Sequence, residues 1–261
     1  MNCLVDSVKI LFTQHYYPKV LISQTIFWAI STFAIKNPTL VDVAWGANHF
    51  LIGYSVLSAN GFKGNLLGFA LVGAWFLRLS GFLFYNRIWN RHVDPRYEHL
   101  RKNRNEILYY FFQFHLQGVL STLTAIPIYF ALQQRKLNVF NFVGVFLCLV
   151  GIFGETLADQ QLQSYKDSRT GTSEVFRGGL FKYARHPNLF FEMVFWTGMA
   201  FYSINPGNYC SLAAFAGPFL LYCIIKYLTV PITTKHMLKT KPDYKKVMEE
   251  THLFWPFTQK H

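Results

Sequence analysis

The sequence predicts an all-α protein, a polytopic transmembrane helix bundle of about seven spans. Apolar residues make up 52% of its 261 residues and aromatic ones 18%, charged residues make up only 15%, and the apolar residues come in blocks. That balance is not one of a soluble domain. A helix crossing ~30 Å of hydrocarbon needs ~20 mostly apolar residues, and several blocks reach that length with one charge or none.

In order along the chain, spans are expected at 20–35, 41–59, 64–85, 107–132, 140–162, 189–204 and 209–230, each bounded by Pro, Gly, Asn or a charge cluster. The second contains Asp42, Asn48 and His49, and the sixth is short and contains Glu192, so these two depart furthest from a uniformly apolar span. No internal repeat or low-complexity linker interrupts the pattern, and residues 1–261 read as one domain.

The formal net charge is +12. Threaded through seven spans, one side receives Lys36, the loops 86–106 and 163–188 and the tail 231–261, which together hold eighteen lysines and arginines. The other side receives five, Lys9, Lys19, Lys63, Arg135 and Lys136, while Arg78 and Lys226 fall inside spans. Positive charge gathers on the cytoplasmic side, so the long loops and the C-terminus are expected there and the N-terminus across the membrane. One span more or fewer would scatter the basic loops over both sides, which supports seven. No nucleic-acid motif accompanies the charge, so the expected partner is the lipid bilayer and not nucleic acid.

Cys3, Cys148, Cys210 and Cys223 have neither metal-ligand nor disulfide-framework spacing, and three of them lie inside expected spans. They read as small apolar fillers, with no metal site. No small-residue cleavage site follows the first apolar stretch, so the first span is expected to be retained. The expected location is an integral, multi-pass position in the endoplasmic reticulum if the source is a eukaryote, with the mitochondrial inner membrane and the bacterial plasma membrane as alternatives; Lys260-His261 is no retention signal.

The chemistry concentrates in the run 178–188, GGLFKYARHPN, which leads into the sixth span and Glu192. Gly178 and Gly179 permit a tight turn or a close backbone approach, Pro187 suits the first turn of a helix, and Arg185 and His186 stand before that helix N-terminus. Such a site favours anions, phosphate included. The competing reading is an interfacial turn with side chains reaching for the headgroups.

The run GGLFKYARHPNLFFE at 178–192 resembles the C-terminal signature of the steroid 5α-reductase superfamily, especially its membrane proteins of unassigned substrate. The likeness extends to VDVAWG at 41–46, to RLSGFLFYNRIWNRHVDPRYEHLR at 78–101 and to PDYKKVMEETHLFWPF at 242–257, and so covers most of the chain. The Arg-His-Pro element is also similar to one in isoprenylcysteine carboxyl methyltransferases. The resemblance implies a cytoplasm-facing NADPH pocket among the later spans and hydride transfer to an activated carbon–carbon double bond. The implied substrate is a hydrophobic small molecule: an enone, a sterol or polyprenol-like lipid, or a fatty-acyl derivative.

By that resemblance Asp159 corresponds to the acidic residue late in the fifth span that helps hold the cofactor, with Glu155 one turn earlier on the same face. Arg177 resembles the basic residue before the Gly-Gly pair, and Lys166 belongs to the same basic loop. Asn188 and Glu192 match the family's Asn and Glu and lie four apart, on one helix face. Tyr183, Arg185 and His186 are implied cofactor contacts or, alternatively, headgroup anchors.

The sequence departs from the reductase pattern in two places. Between Thr229 and Met237, where those enzymes have an Arg and a His, only Lys235 and His236 stand. The N-terminal Glu and Tyr that polarise the steroid carbonyl have no clear match, and Asp42, His49 and Tyr85 are the candidates for the catalytic role. Hydride transfer to an enone needs a donor for the developing enolate oxygen, which Tyr or His can supply. His115 reads as an interhelical hydrogen-bond partner, with the proton-donor role as the alternative. Two other functions remain open: a non-catalytic reductase-like subunit of a larger membrane complex, and a membrane methyltransferase using S-adenosylmethionine.

Overall fold

The structure is a computed structural model and describes residues 3–13, 16–90, 105–134, 136–169 and 174–259. Arg91, Arg96, Arg101, Lys102, Arg104, Arg135 and Lys260, and positions 91–101 of the matched motif, lie outside the described residues.

Among the described residues every regular element is helical. We number them α1 Cys3–Thr13, α2 Tyr16–Ala29, α3 Leu40–Ala59, α4 Leu66–Leu83, α5 Glu106–Thr124, α6 Ile126–Gln133, α7 Val139–Ser168, α8 Pro187–Tyr202, α9 Ala216–Ile224, α10 Val230–Thr240 and α11 Tyr244–Glu250. Three π-helical turns, Ile30–Ile35, Phe84–Trp89 and Ile225–Thr229, extend α2 and α4 and join α9 to α10. Asn65 and Asn105 cap α4 and α5 through side-chain oxygens that accept from Gly68 N and Leu108 N. Pro127, which has no N–H for the helical ladder, sits at the 42° bend between α5 and α6.

Four helices are long and apolar enough to cross a membrane: Tyr16–Ile35, Leu66–Trp89, Val139–Ser168 and Tyr209–Thr240. The bent pair α5 and α6 brings the number to five. The second and sixth expected spans exist as helices, α3 and α8, but stand outside that set. In α3, Asp42, Asn48 and His49 dilute the apolar run, and α8 has only 16 residues. Helix boundaries also differ from expectation. The fifth span runs on to Ser168 and the last to Thr240, so Lys235 and His236 lie on a helix and not in a loose tail.

The residues fall into two compact units, Met1–Val145 with Met199–Leu220, and Phe146–Gly198 with Leu221–His261. In the first, α2, α3 and α5 pack on one another and α3 packs on α4. Several polar groups buried there pair across the packed elements. Asn48 Nδ2 donates to Ser121 Oγ at 3.1 Å, Ser80 Oγ to Val43 O at 2.9 Å, and Gln134 Nε2 to Tyr202 O at 3.0 Å. His115 pairs with Thr25 Oγ1 at 3.1 Å, the interhelical role expected of it.

The structure also corrects the reading of the cysteines. Cys148 is a buried free thiol, but Cys3 and Cys210 form a disulfide. Their sequence separation of 207 gives no framework spacing to recognise. The pairing arises because α1, a helix outside the seven expected spans, brings Cys3 to the 3-10 turn Tyr209–Phe215.

In the second unit, α7 and α8 approach at glycines. A Cβ on Gly151 would lie 2.7 Å from the backbone N of Phe195, and one on Gly154 would lie 2.2 Å from the Phe191 ring. Phe146, Leu149, Phe153 and Leu157, three or four apart, form an exposed apolar stripe of α7 suited to lipid. The clash at Gly151 is with backbone and cannot be relieved by a rotamer change. Gly151→Ala is therefore expected to lower the thermal midpoint of the detergent-purified protein, at about 1–3 kcal/mol of stability. Gly81→Ala meets nothing within 4 Å and should be neutral or stabilising in the same assay.

Candidate functional site

The candidate site lies in the second unit. Glu155 and Asp159 of α7 and Glu192 of α8 are 3%, 8% and 9% exposed, so three carboxylates are buried within two packed helices. Ionisable groups at such depth are expensive and point to function. Asn188, in the first turn of α8, donates from Nδ2 to Asp159 Oδ1 at 3.2 Å. The two residues singled out on separate spans are thus brought into contact.

The loop before α8 is shaped by its glycines. Gly179 adopts φ +54°, and a Cβ there would lie 2.2 Å from Gln161 Oε1. That oxygen accepts the N–H of Leu180 at 2.9 Å, so α7 holds the turn directly. Phe176 stacks on Tyr165 at 4.7 Å and meets Phe181 at 5.4 Å. Pro187 opens α8 as the sequence indicated, which leaves Arg185 and His186 just ahead of its positive end.

The C-terminal segment runs beside this loop. Arg185 N donates to His252 O at 3.0 Å, His186 N to Leu253 O at 3.1 Å, and His252 N to Tyr183 O at 2.9 Å. Arg177 pairs with Glu250, and Lys241 Nζ donates to Glu174 O. Phe190 packs edge-on against Trp255 at 5.7 Å and Tyr222 against Phe254 at 6.4 Å.

Several polar atoms here are buried without a hydrogen-bond partner: Arg185 Nε, His186 Nε2, His252 Nε2 and Tyr165 OH. Burial, with Arg185 adding to it, pushes the His186 imidazole down from 6.5 to about 4, so it is neutral at pH 7. Burial likewise lowers the Lys241 ammonium, as does Arg169, against a smaller opposing effect of Glu174.

The remaining expected cofactor residues are placed less centrally. Lys166 is exposed near the end of α7, and Arg177 is engaged by Glu250 at the surface. On α10, Lys235 is exposed and His236 half-buried. Tyr183 is half-buried, with Lys182 Nζ 5.6 Å from its ring centroid. Asp42, His49 and Tyr85 belong to the first unit. Asp42 Oδ2 accepts from Arg87 Nη1 at 2.8 Å, His49 is bonded through both ring nitrogens to Trp45 O at 2.8 Å and Thr124 Oγ1 at 2.9 Å, and Tyr85 is 61% exposed. Among the described residues no group of three or more His, Cys, Asp or Glu side chains could hold a metal ion. Gln161, Tyr165 and His252 were missed at the sequence level. The run 242–257 was the only signal for His252, and it marked a segment and not a side chain.

A family model described as a protein of unknown function (DUF1295) matches residues 27–251. The chain belongs to the DUF1295 family. This family is related to steroid 5-alpha-reductase-like proteins. The chain is similar to uncharacterized protein C594.04c of Schizosaccharomyces pombe, with 26% identity over 212 residues, 68% of this chain and 60% of that protein. It therefore spans less than two thirds of that relative's length. No solved structure matches the chain.

The lowered His186 gives the family member a pH signature. Between pH 6.5 and 4 the unfolded chain takes up a proton that the folded chain refuses, so stability is full above pH 7 and falls as pH drops through that window. From pH 7.5 to 5 the wild type should lose about 2 kcal/mol more than His186→Gln, read from chemical unfolding in detergent at the two pH values. Equal losses would assign the imidazole an ordinary, solvated environment.

Proposed function

We propose that the chain is an integral-membrane, NADPH-dependent reductase of a carbon–carbon double bond in a hydrophobic enone or sterol-like lipid. The observation that carries this reading is the three buried carboxylates Asp159, Glu155 and Glu192, with the Asn188 amide bonded to the first, set beside a basic loop whose own buried donor atoms lack partners. The residue chemistry suits a phosphorylated dinucleotide. Carboxylates and the Asn188 amide would hold ribose hydroxyls and a carboxamide, while Arg185, ahead of the positive end of α8, would face phosphate. Bound NADPH supplies a hydride for an activated double bond. The chain's part is to bind and orient it and, through apolar packing, to exclude water.

In this reading the chain makes seven spans, α3 and α8 included, with the site on the basic, cytosolic side. The Cys3–Cys210 disulfide supports that orientation. Threaded through seven spans, Cys3 and the 205–208 connection before Cys210 fall on the opposite side, and disulfides persist in oxidising compartments. Denatured protein from membranes should take up two maleimide-polyethylene glycol labels without reductant, on Cys148 and Cys223, and four with it, read as a gel shift. Four labels without reductant would remove that support.

A second reading, a reductase-like subunit without activity of its own, is favoured by one observation. None of the three catalytic candidates stands ready as a proton donor, since Asp42 is ion-paired, both His49 nitrogens are engaged and Tyr85 is largely exposed. Titration of purified protein separates the readings. The reductase reading expects saturable NADPH binding, weakened at least tenfold by Asn188→Ala or Asp159→Ala, and NADPH oxidation when an enone lipid is supplied. Binding without oxidation across an enone panel would favour the subunit. Binding of S-adenosylmethionine in place of NADPH would point to a methyltransferase.

A further inference from the structure

We infer that His252 is a phosphate-binding residue of the candidate site and that the segment 251–254 forms one wall of it. The inference deepens the proposed function and rests on that reading for the identity of the ligand, though not for the anion subsite itself.

The segment is fixed in place independently of the His252 side chain. The three hydrogen bonds that lay it along Tyr183, Arg185 and His186 are all between main-chain atoms. The Arg177–Glu250 pair and the contact of Lys241 with Glu174 O hold the approach to it, and Thr251 Oγ1 bonds back to Val247 O. On its far side, Phe254 is held against Tyr222 and Trp255 against Phe190. The imidazole contributes nothing to this clasp, yet its Nε2 is buried and has no partner.

The same is true of its two neighbours across the main-chain bonds. Arg185 Nε and His186 Nε2 are also buried and unpartnered, so three orphaned nitrogens lie on residues joined by one short ladder. Such an atom is destabilising if nothing pairs with it, and native proteins leave few of them. A guanidinium Nε–H can only donate, so its missing partner is an acceptor. His186 is neutral at pH 7; an imidazole Nε2–H, of His186 or of His252, can only donate. Three buried donors on residues joined by these main-chain bonds, just ahead of the N-terminus of α8, call for a ligand with several acceptor oxygens and negative charge, which describes a phosphate or pyrophosphate group.

The test uses the full-length protein in detergent with two probes, inorganic pyrophosphate and NADPH, each titrated by calorimetry. His252→Leu keeps the bulk of the side chain and the main-chain clasp but removes the donor, and His252→Gln keeps a donor. We expect wild type to bind both probes, His252→Leu to weaken both by 10- to 100-fold, and His252→Gln to stay within about threefold of wild type. Amide hydrogen exchange of Arg185, His186 and His252 in the unliganded variants should match wild type, which reports an intact clasp. If His252→Leu is misfolded, His252→Phe, which also removes the donor, is read in its place with the same two outcomes. Pyrophosphate binding that is equal in wild type and His252→Leu overturns the inference, as does wild type that binds no pyrophosphate. Pyrophosphate binding that depends on His252, without NADPH binding, leaves the anion subsite standing and overturns the NADPH reading instead.

Discussion

The close contact of α7 and α8 at Gly151 and Gly154 is the constraint on which the candidate site depends. Inside a bilayer no hydrophobic force drives helix against helix, so association relies on packing and on polar pairs. Glycine lets the backbone at Phe195 and the ring of Phe191 occupy space that any side chain would fill. At this separation Asn188 reaches Asp159, and Glu155 and Glu192 are buried with them. Wider spacing would give water and lipid access to three carboxylates. The glycines thus connect a packing requirement to an electrostatic one.

A second constraint is the turn held by Gly179 and Gln161, which delivers Arg185 and His186 to the start of α8. Because the C-terminal segment pairs with that same stretch through main-chain bonds, loop and tail form one structure. The basic residues counted along the sequence as orientation signals divide accordingly. Arg177 and Lys241 are engaged in holding this structure together, while Arg185 retains an unpartnered buried nitrogen.

Much of the fold was legible because hydrocarbon thickness and helical rise leave a direct mark on composition. Each expected span falls on helix, the fourth as a bent pair, but four to five are long and apolar enough to cross a membrane; the two that fall short are the two marked as atypical by Asp42, Asn48 and His49 and by Glu192. What escaped was set by contacts distant in sequence. The Cys3–Cys210 bond joins positions with no spacing rule, and the extension of the last helix to Thr240 comes from a π-helical turn that continues it past Pro231. In the site, Asn188, Asp159 and Glu192 were legible from the motif and its four-residue spacing, whereas Gln161 and His252 were not. Their roles arise from a side chain receiving a distant N–H and from a ladder of three bonds, and neither leaves a periodic signal.

The central claim is that this group of buried residues holds a phosphorylated dinucleotide. An experimental density map of the purified protein prepared with NADPH tests it most directly. Elongated density beside Asn188, Asp159 and Glu192, with its phosphates toward Arg185 and His252, is the expected result. Density for the dinucleotide elsewhere, or none beside these residues at saturating NADPH, would contradict it.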